Sequence, residues 1–203
     1  MRTWLARGSR RLAADVAHRL HAIVGDLAAI TPDTRLGRQF GAFGADSVIC
    51  HPPAALMNTR YVHIGERTVI GPAATLSAGM VPGQECISDP VVSIGDRCLI
   101  GRGSGIVGHF SIEMGDDVWT GHHVYITDQN HGYDDPDRPI SVQVQPERPV
   151  RIGSGSWIGH GSVVLPGADI GRNVVIGANS VVSGHIPDGS VAVGAPARVI
   201  RRR

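Results

Sequence analysis

The sequence is poor in aromatic residues, cysteine and net charge, and it has no long apolar run. Aromatic residues make up 4% of the 203-residue chain, whereas glycine occurs 27 times. This composition is unusual for an ordinary globular core, but it suits a repeat with a tight turn in every unit. The formal net charge of +1 argues against nucleic-acid binding, which usually requires a strongly basic face.

The few cysteines and the lack of long apolar runs indicate in which cell compartment the protein lies. Cys50, Cys86 and Cys98 are odd in number and lack metal-ligand spacing, which is typical of free thiols in a reducing environment. No stretch approaches the roughly 20 apolar residues of a membrane span. The N-terminus has no apolar segment followed by a small-residue cleavage site, which argues against a signal peptide. We therefore expect a cytoplasmic protein.

Aliphatic residues recur at intervals of six along most of the chain. A strict period of six does not fit an α-helix, which requires 3.6. The in-phase positions are Ile64, Ile70, Leu76, Ile94, Ile100, Ile106, Met114, Thr120, Ile126, Ile152, Ile158, Val164, Ile170, Ile176 and Val182, preceded by a weaker set at Ile30, Leu36, Ala42 and Val48. Glycine directly follows ten of these positions, as at Gly65 and Gly159.

A second layer of small or β-branched residues lies two positions before many of these aliphatics. Residues two apart face the same side of a strand, so each unit reads as a short strand with two inward positions, followed by a turn. The members of this layer include Thr68, Ala74, Cys98, Ser104, Val118, Val124, Ser156, Ser162, Ala168, Val174 and Ser180. Stacked units bury a continuous core that one unit cannot bury alone. The sequence predicts an all-β solenoid of about five to six coils.

Two segments interrupt the repeat. Residues 1–28 have an amphipathic helical pattern, and residues about 127–149 form an excursion loop without apolar period. The helix has two interpretations: a cap over the open edge of the first coil, or a basic amphipathic helix at a membrane surface. The predicted domains are therefore a helical cap over 1–28 and a solenoid over 29–203, with a C-terminal tail from about 186 to 203.

The ordered motifs after Met114 resemble those of one enzyme family. The stretch MGDDVWTGHHVYITDQNH is followed, after the loop, by PV-x-IG, WIG, PGA-x-IG, VIGA-x-SVV, IP and G-x-PA-x-VI elements. This series resembles the hexapeptide-repeat acyltransferases, in particular the maltose, galactoside and nodulation-factor O-acetyltransferases and those that modify surface polysaccharides. The resemblance implies a left-handed parallel β-helix and a homotrimer with active sites between subunits.

The resemblance also implies the chemistry. Acetyl-coenzyme A would donate an acetyl group to a hydroxyl of a sugar or glycan, without a covalent enzyme intermediate and without a metal. His131 matches the family's catalytic histidine, and a neutral imidazole is a suitable general base near physiological pH. By position, the backbone N–H of His160 would stabilise the oxyanion. Asp128, three residues before His131, would orient the imidazole.

The remaining site residues also follow from the resemblance. The residues expected to contact coenzyme A are Trp157, Ala178, Ser183, Arg198 and Arg201. Arginine suits the phosphates because its guanidinium donates in a fork. The polar candidates for the acceptor are Asn130, Asn58, Arg60 and Tyr61.

Two other functional classes are compatible with a solenoid. A metal enzyme similar to the γ-class carbonic anhydrases would use three histidines as ligands, and the chain offers His109, His122, His123 and His131. Zinc sites depend on geometry rather than on histidine number, and the C-terminal motifs fit acyltransferases. A non-catalytic binding scaffold is the third class, but a scaffold needs neither the His131 loop nor the arginine tail.

Overall fold

The computed structural model describes residues 2–144 and 146–202, and of residues 2–9 it describes the backbone alone. Met1, Gln145 and Arg203, which belong to the predicted helix, loop and tail, lie outside the described residues. The helix α1 spans Arg2–Leu27, and short 3-10 helices span Gly37–Gln39, Thr59–Tyr61 and Ile140–Val142.

The strands are short and follow one another around the solenoid. In chain order they are β1 Ala42–Phe43, β2 Val48–Ile49, β3 Ala55–Met57, β4 Val62–Ile64, β5 Val69–Ile70, β6 Thr75–Ala78, β7 Val92–Ile94, β8 Leu99–Ile100, β9 Gly105–Gly108, β10 Ile112–Met114, β11 Trp119–Thr120, β12 Tyr125–Thr127, β13 Val150–Ile152, β14 Trp157–Ile158, β15 Val163–Val164, β16 Asp169–Ile170, β17 Val175–Ile176, β18 Val181–Val182, β19 His185–Ile186, β20 Ser190–Val193 and β21 Arg198–Arg202.

These strands form the three faces of a prism. Sheet I contains β1, β4, β7, β10, β13, β16 and β19; sheet II contains β2, β5, β8, β11, β14, β17, β20 and β21; sheet III contains β3, β6, β9, β12, β15 and β18. Each coil contributes one strand to each sheet, and neighbouring coils pair in parallel except at β20–β21, which is antiparallel. The described residues thus form six full coils and a partial seventh.

The period of six in the sequence becomes the inward column of each sheet. Ile94 of β7 pairs in register with Ile64 on one side and Met114 on the other, and all three are buried. The small residues of the second layer are buried as well, and the hydroxyls of Thr68, Ser156 and Ser162 donate to backbone carbonyls of the next coil. The Ser162 hydroxyl, for example, donates to the Gly177 carbonyl at 2.9 Å. The solenoid prediction is confirmed at the level of individual residues.

The first coil departs from the predicted phase. Val48 faces outward and the inward positions are Phe43 and Ile49, because these two pair in register with Ile64 and Ile70. Leu36, also assigned to the weaker set, is 50% exposed. The period of six thus predicts the inward residue of β2 one position too early, because Val48 and Ile49 are both β-branched and the period cannot distinguish them.

The long excursions of the chain leave the solenoid at one corner. Residues 79–91 and 128–149 both connect sheet III to sheet I, as do the shorter segments 58–61, 109–111, 165–168 and 183–184. The other two corners are closed by compact turns that repeat from coil to coil. Many of these turns need a left-handed residue, supplied by Gly161 (φ +68) in one coil and by His123 (φ 58) in the coil before it. The III–I corner is therefore where the fold tolerates added chain.

Helix α1 does not lie against the solenoid. Every side chain from residue 10 to residue 24 is exposed, so in the single chain the helix does not cover the first coil, contrary to the capping interpretation. The edge of that coil is occupied instead by Ile30, which is 3% exposed and exchanges two backbone hydrogen bonds with Ile49. Within the described residues, no helix combines the length and apolar character needed to cross a membrane.

The inward column predicts where a substitution destabilises the fold. Ile158 is fully buried, and Ile158→Ala should lower the free energy of unfolding by about 2–5 kcal/mol through lost burial and a residual cavity. Denaturant unfolding at fixed protein concentration measures the change. Glu113→Ala, on the outer face of sheet I, is the control and should cost less than about 1 kcal/mol. Equal losses for the two variants would contradict the assigned facing.

Candidate active site

His131 lies in the 128–149 loop, near the III–I corner. Its side chain is exposed, and its backbone forms an isolated antiparallel bridge with Val144 on the returning arm of the loop. The backbone N–H of His131 donates to Asn130 Oδ1 at 3.0 Å. Asn130, predicted to contact the acceptor, thus uses its carbonyl oxygen to fix the backbone of the predicted base.

Asp128 anchors the beginning of this loop. Its side chain is buried, and its carboxylate accepts three backbone hydrogen bonds, from the N–H groups of His109 (2.8 Å), Phe110 (2.8 Å) and Ser111 (2.7 Å). In the described residues no hydrogen bond joins Asp128 to His131. The expected role of orienting the imidazole directly is corrected: Asp128 positions the loop by tying it to the preceding coil.

The interior of the loop is organised by Gln143, which sequence reasoning did not single out. This side chain is 8% exposed; its Nε2 donates to the carbonyls of Asp135 (2.8 Å) and Arg138 (2.9 Å), and its Oε1 accepts the Asp135 N–H at 3.1 Å. The Arg148 N–H closes the base of the loop on the Asp128 carbonyl at 2.9 Å. The 128–149 loop is thus held by polar contacts. A search for periodic apolar residues in the sequence could not reveal them.

His109 also belongs to this corner, in the coil preceding the His131 loop. Its backbone is fixed by Asp128, and its Nδ1 atom is buried without a hydrogen-bond partner among the described residues. Sequence reasoning counted His109 only as a possible metal ligand. The register of the strands could have revealed this position. Val107 pairs with Thr127, so the residues that follow β9, including His109, lie next to those that follow β12, including Asp128.

Asn58 ties the 79–91 loop to the solenoid. Its Nδ2 donates to the carbonyls of Ala78 (2.7 Å) and Val81 (2.9 Å), and its Oδ1 accepts the Gly83 N–H at 2.7 Å. Both amide donors are therefore used to hold the 79–91 loop. With both donors used in this way, the predicted contact of Asn58 with the acceptor would have to use its Oδ1 atom.

Arg60 and Tyr61 meet the same loop through Glu85. The Tyr61 hydroxyl donates to Glu85 Oε2 at 2.9 Å, and Arg60 lies 3.3 Å from Glu85 Oε1 with its guanidinium 4.5 Å from the Tyr61 ring centroid. Tyr61 is buried, whereas Arg60 is exposed. Among Asn58, Arg60 and Tyr61, the predicted acceptor residues that precede the 128–149 loop, Arg60 alone presents an exposed charged group at the III–I corner.

The predicted donor residue Trp157 has a partner that the sequence analysis missed. Trp119 pairs in register with Trp157 on the outer face of sheet II, and the two side chains are 52% and 41% exposed. Asp117, Gly155 and Ser156 complete the lining of a shallow groove beside them. The sequence alone could have predicted this pairing, because Trp119 and Trp157 each directly precede an inward residue, Thr120 and Ile158.

A charged pair borders this groove. Arg97 contacts Asp117 with two hydrogen bonds of 2.8 Å, and the guanidinium holds the pKa of the Asp117 carboxyl below its ordinary value. The Trp119 indole N–H donates to the Arg97 carbonyl at 3.3 Å. The tryptophan pair is thus supported from the side by a fixed ion pair.

The II–III corner carries a row of unpaired backbone N–H groups. Within the described residues, the N–H groups of Arg102, His122, His160 and Ala178 donate to no partner, whereas those at the I–II corner are met by side chains such as Asp96 and Asp116. A free N–H is what the predicted oxyanion role of His160 requires. The feature is shared by the whole corner, so geometry alone does not distinguish His160.

The C-terminal donor candidates lie at the last coils. Ser183 and Arg198 line one small cavity, closed on the core side by Val182, Ile186 and the buried Ala197. Arg201 lies on β21, paired with Val191, and is exposed. Ala178 is exposed at the II–III corner. The structure therefore brings Ser183 and Arg198 together, and it places Arg201 farther along the same strand.

The predicted base and the predicted donor surface lie on opposite sides of one protomer. The III–I corner, from which the His131 loop departs, is the edge of the prism opposite sheet II, which carries Trp157. His160 lies at the other end of sheet III, about 15–20 Å from this corner at the usual rise per strand residue. Within a single chain the solenoid core separates these groups.

Comparisons with known proteins agree with the fold and the motifs. The family described as "Bacterial transferase hexapeptide (six repeats)" matches residues 149–184, and "Hexapeptide repeat of succinyl-transferase" matches residues 91–127. A putative lipopolysaccharide biosynthesis O-acetyltransferase of Escherichia coli is 31% identical over 157 residues, covering 74% of this chain and 76% of the relative. The chain belongs to the hexapeptide-repeat acyltransferase family.

Other members of this family extend the comparison. A probable acetyltransferase of Mycobacterium tuberculosis is 39% identical over 144 residues, covering 71% of this chain but only 43% of that longer relative. A solved variant of an N-acyltransferase from Bacillus cereus, in complex with dTDP-4-amino-4,6-dideoxyglucose and coenzyme A, aligns with a TM-score of 0.72 and 22% identity, covering 86% and 90% of the two chains.

The family comparison confirms several expectations from the sequence. The predicted all-β solenoid, a left-handed parallel β-helix, is confirmed. The predicted family is confirmed as well, and with it the class of acyltransferase.

The described residues contain no group of three His, Cys, Asp or Glu side chains arranged to hold a metal ion. The exposed rings of His122, His123 and His160 do form a cluster at the II–III corner, with centroids 5.7–6.5 Å apart. His131 leaves the solenoid at a different corner. Of the four histidines that the sequence offers for a metal site, His122 and His123 lie at the II–III corner, whereas His109 and His131 lie at the III–I corner, so the four are not assembled in one chain.

The anchoring role of Asp128 can be tested directly. Asp128→Ala removes a buried acceptor from three N–H groups and should lower the free energy of unfolding by about 2–4 kcal/mol. Asp128→Asn keeps the size but only one acceptor oxygen, and we expect an intermediate loss. Denaturant unfolding measures both, with Asp137→Asn, in the exposed part of the loop, as the matched control. A loss no larger than that of the control would contradict the anchoring role.

Proposed function

We propose that this protein transfers an acetyl group from acetyl-coenzyme A to a hydroxyl of a sugar or glycan, with His131 as general base. The observation that carries the proposal is the position of His131, exposed on a loop whose base is fixed by Asp128 at the corner that also carries Arg60. The Escherichia coli relative is named for O-acetyl transfer in lipopolysaccharide biosynthesis, which supports a glycan acceptor and an oxygen nucleophile.

In the proposed reaction the His131 imidazole removes the proton of the acceptor hydroxyl as its oxygen attacks the thioester carbonyl. The tetrahedral intermediate carries its negative charge on the former carbonyl oxygen, and an N–H group of the II–III corner, for which we favour His160, stabilises it. The carbon–sulfur bond then breaks, and the imidazolium returns its proton to the leaving thiolate. No side chain becomes acylated, so the chemistry requires neither a reactive cysteine nor a serine.

We further propose that the active unit is a homotrimer with one site at each of its three subunit boundaries. The III–I corner and sheet II lie on opposite sides of one solenoid, so His131 of one subunit can meet a donor held by Trp157 only across a boundary. A head-to-tail contact of this kind closes into a ring when its rotation is threefold. Holding both substrates at such a boundary makes the reaction effectively unimolecular.

The donor would run along sheet II toward the C-terminal end of the solenoid. The half-exposed rings of Trp157 and Trp119 offer an apolar surface for the pantetheine arm, and Ala178 leaves its turn free of bulk. Arg198, beside Ser183, and Arg201 supply cations for the phosphates. This arrangement supports donor binding by residues of at least two elements, rather than by a single loop.

The role of His131 predicts a selective loss of turnover. His131→Ala should lower kcat by about 10²–10⁴-fold, because the hydroxyl loses its general base, while folding remains intact. Release of free coenzyme A thiol in the presence of acetyl-coenzyme A and a panel of sugars and glycans measures the rate. His18→Ala, which removes an exposed histidine of α1, is the control and should retain activity. An unchanged rate for His131→Ala would eliminate the base assignment.

A site shared by two subunits predicts complementation. His131→Ala and Trp157→Ala should each be nearly inactive at low donor concentration. When equal amounts are unfolded together and refolded, about one quarter of the boundaries should combine an intact His131 with an intact Trp157. We therefore expect roughly a quarter of the wild-type rate at that donor concentration. Activity no greater than the mean of the two parents would show that each site lies within one subunit.

A further inference from the structure

The apolar side chains of α1 are spaced as in a coiled-coil seam. Val16, Leu20, Ile23 and Leu27 follow one another at intervals of four, three and four residues, and they are 49%, 56%, 51% and 82% exposed. Alternating intervals of four and three place residues on one narrow stripe with a period of 3.5.

The residue types in this stripe specify the number of strands. In heptad notation Leu20 and Leu27 occupy a positions, while Val16 and Ile23 occupy d positions. In parallel coiled coils, leucine at a with isoleucine at d disfavours two strands and favours three or four. Leu12 at a g position and Val24 at an e position flank the stripe, and both are exposed in the single chain. Apolar flanks widen the seam, as bundles of more than two strands require.

The charges of α1 are divided along its length. Arg2, Arg7, Arg10 and Arg11 lie in its first part, and with Arg19, Asp15 and Asp26 they give the helix a net charge of +3 if the histidines are neutral. The part that carries the apolar stripe, residues 12–27, holds Arg19 against Asp15 and Asp26. Recognition of anionic lipid headgroups requires a cluster of cations, and the stripe itself is not flanked by one. Arg19 and Asp26 both occupy g positions beside the seam, which fits solvent-exposed flanks of a helical bundle.

From these observations we propose that the α1 helices of three subunits form a parallel three-stranded coiled coil at the first-coil end of the solenoid. This inference rests on the proposed homotrimer. Threefold rotation places the three helices at the same end of the assembly, and it makes them parallel. Each helix of 26 residues is about 39 Å long, enough for three heptads. The occupant of the exposed apolar face is thus a second and a third copy of this chain.

Amide hydrogen exchange of the whole protein tests the proposal without lipid. Most helical stability in proteins comes from packing of an apolar face, which an unpartnered α1 lacks, whereas a coiled coil protects its amides. Residues 12–27 of the wild-type trimer should exchange at least about 100-fold more slowly than an unfolded chain. Leu20→Glu combined with Leu27→Glu should lower this protection at least tenfold, with the exchange of the solenoid unchanged. Ala14→Glu combined with Ala22→Glu adds the same charge outside the seam and should keep the protection.

Each of the other outcomes has a distinct meaning. A wild-type trimer with unprotected helices, or equal loss in the seam and control variants, would overturn the coiled coil while leaving the proposed function intact. Protection that appears only after addition of vesicles containing anionic phospholipid would overturn it in favour of membrane binding. Light scattering on the same samples gives the mass of the assembly, and a monomeric wild type would remove both the coiled coil and the shared active site.

Discussion

The parallel ladder between coils is the constraint on which the rest of the structure depends. Each short strand is paired with the strand one coil before and one coil after it, in a register that aligns Ile94 with Ile64 and Met114, and Ile158 with Ile176. A shift by one residue would turn every inward aliphatic outward. Because the core is only as wide as one coil, large and small inward residues must alternate. The buried Ser156 and Ser162 satisfy that condition, and their hydroxyls donate to the carbonyls of Gly171 and Gly177.

This ladder explains why the functional groups lie where they do. A strand continuous with its neighbours cannot accept an insertion, so chain that carries chemistry must leave at a corner, and the long segments leave at the III–I corner. The same rigidity separates the predicted base from the tryptophan pair on sheet II. A rigid prism cannot fold back on itself to bring two faces together, and association of identical prisms is the simplest way to do so.

The sequence predicted the core well and the loops poorly, and the reason is physical. Strict periodicity identified the inward residues because one repeated environment selects one type of side chain. It failed in the first coil, where Val48 and Ile49 are both β-branched. It also could not assign Asn58, Asp128 or Gln143, because their partners are backbone groups 15 or more positions away or inside an irregular loop. Trp119 could have been found by comparing equivalent positions in successive repeats.

The arrangement of the III–I corner has a consequence for how such enzymes diversify. The loop of residues 128–149 begins and ends at adjacent points of the solenoid, held by Asp128 and the Arg148 N–H, while the donor candidates lie on other elements. Exchange of this loop for one of another length and composition would leave the ladder and the donor surface as they are. In the proposed trimer, acceptor choice and donor handling could therefore evolve as separate modules that meet at the subunit boundaries.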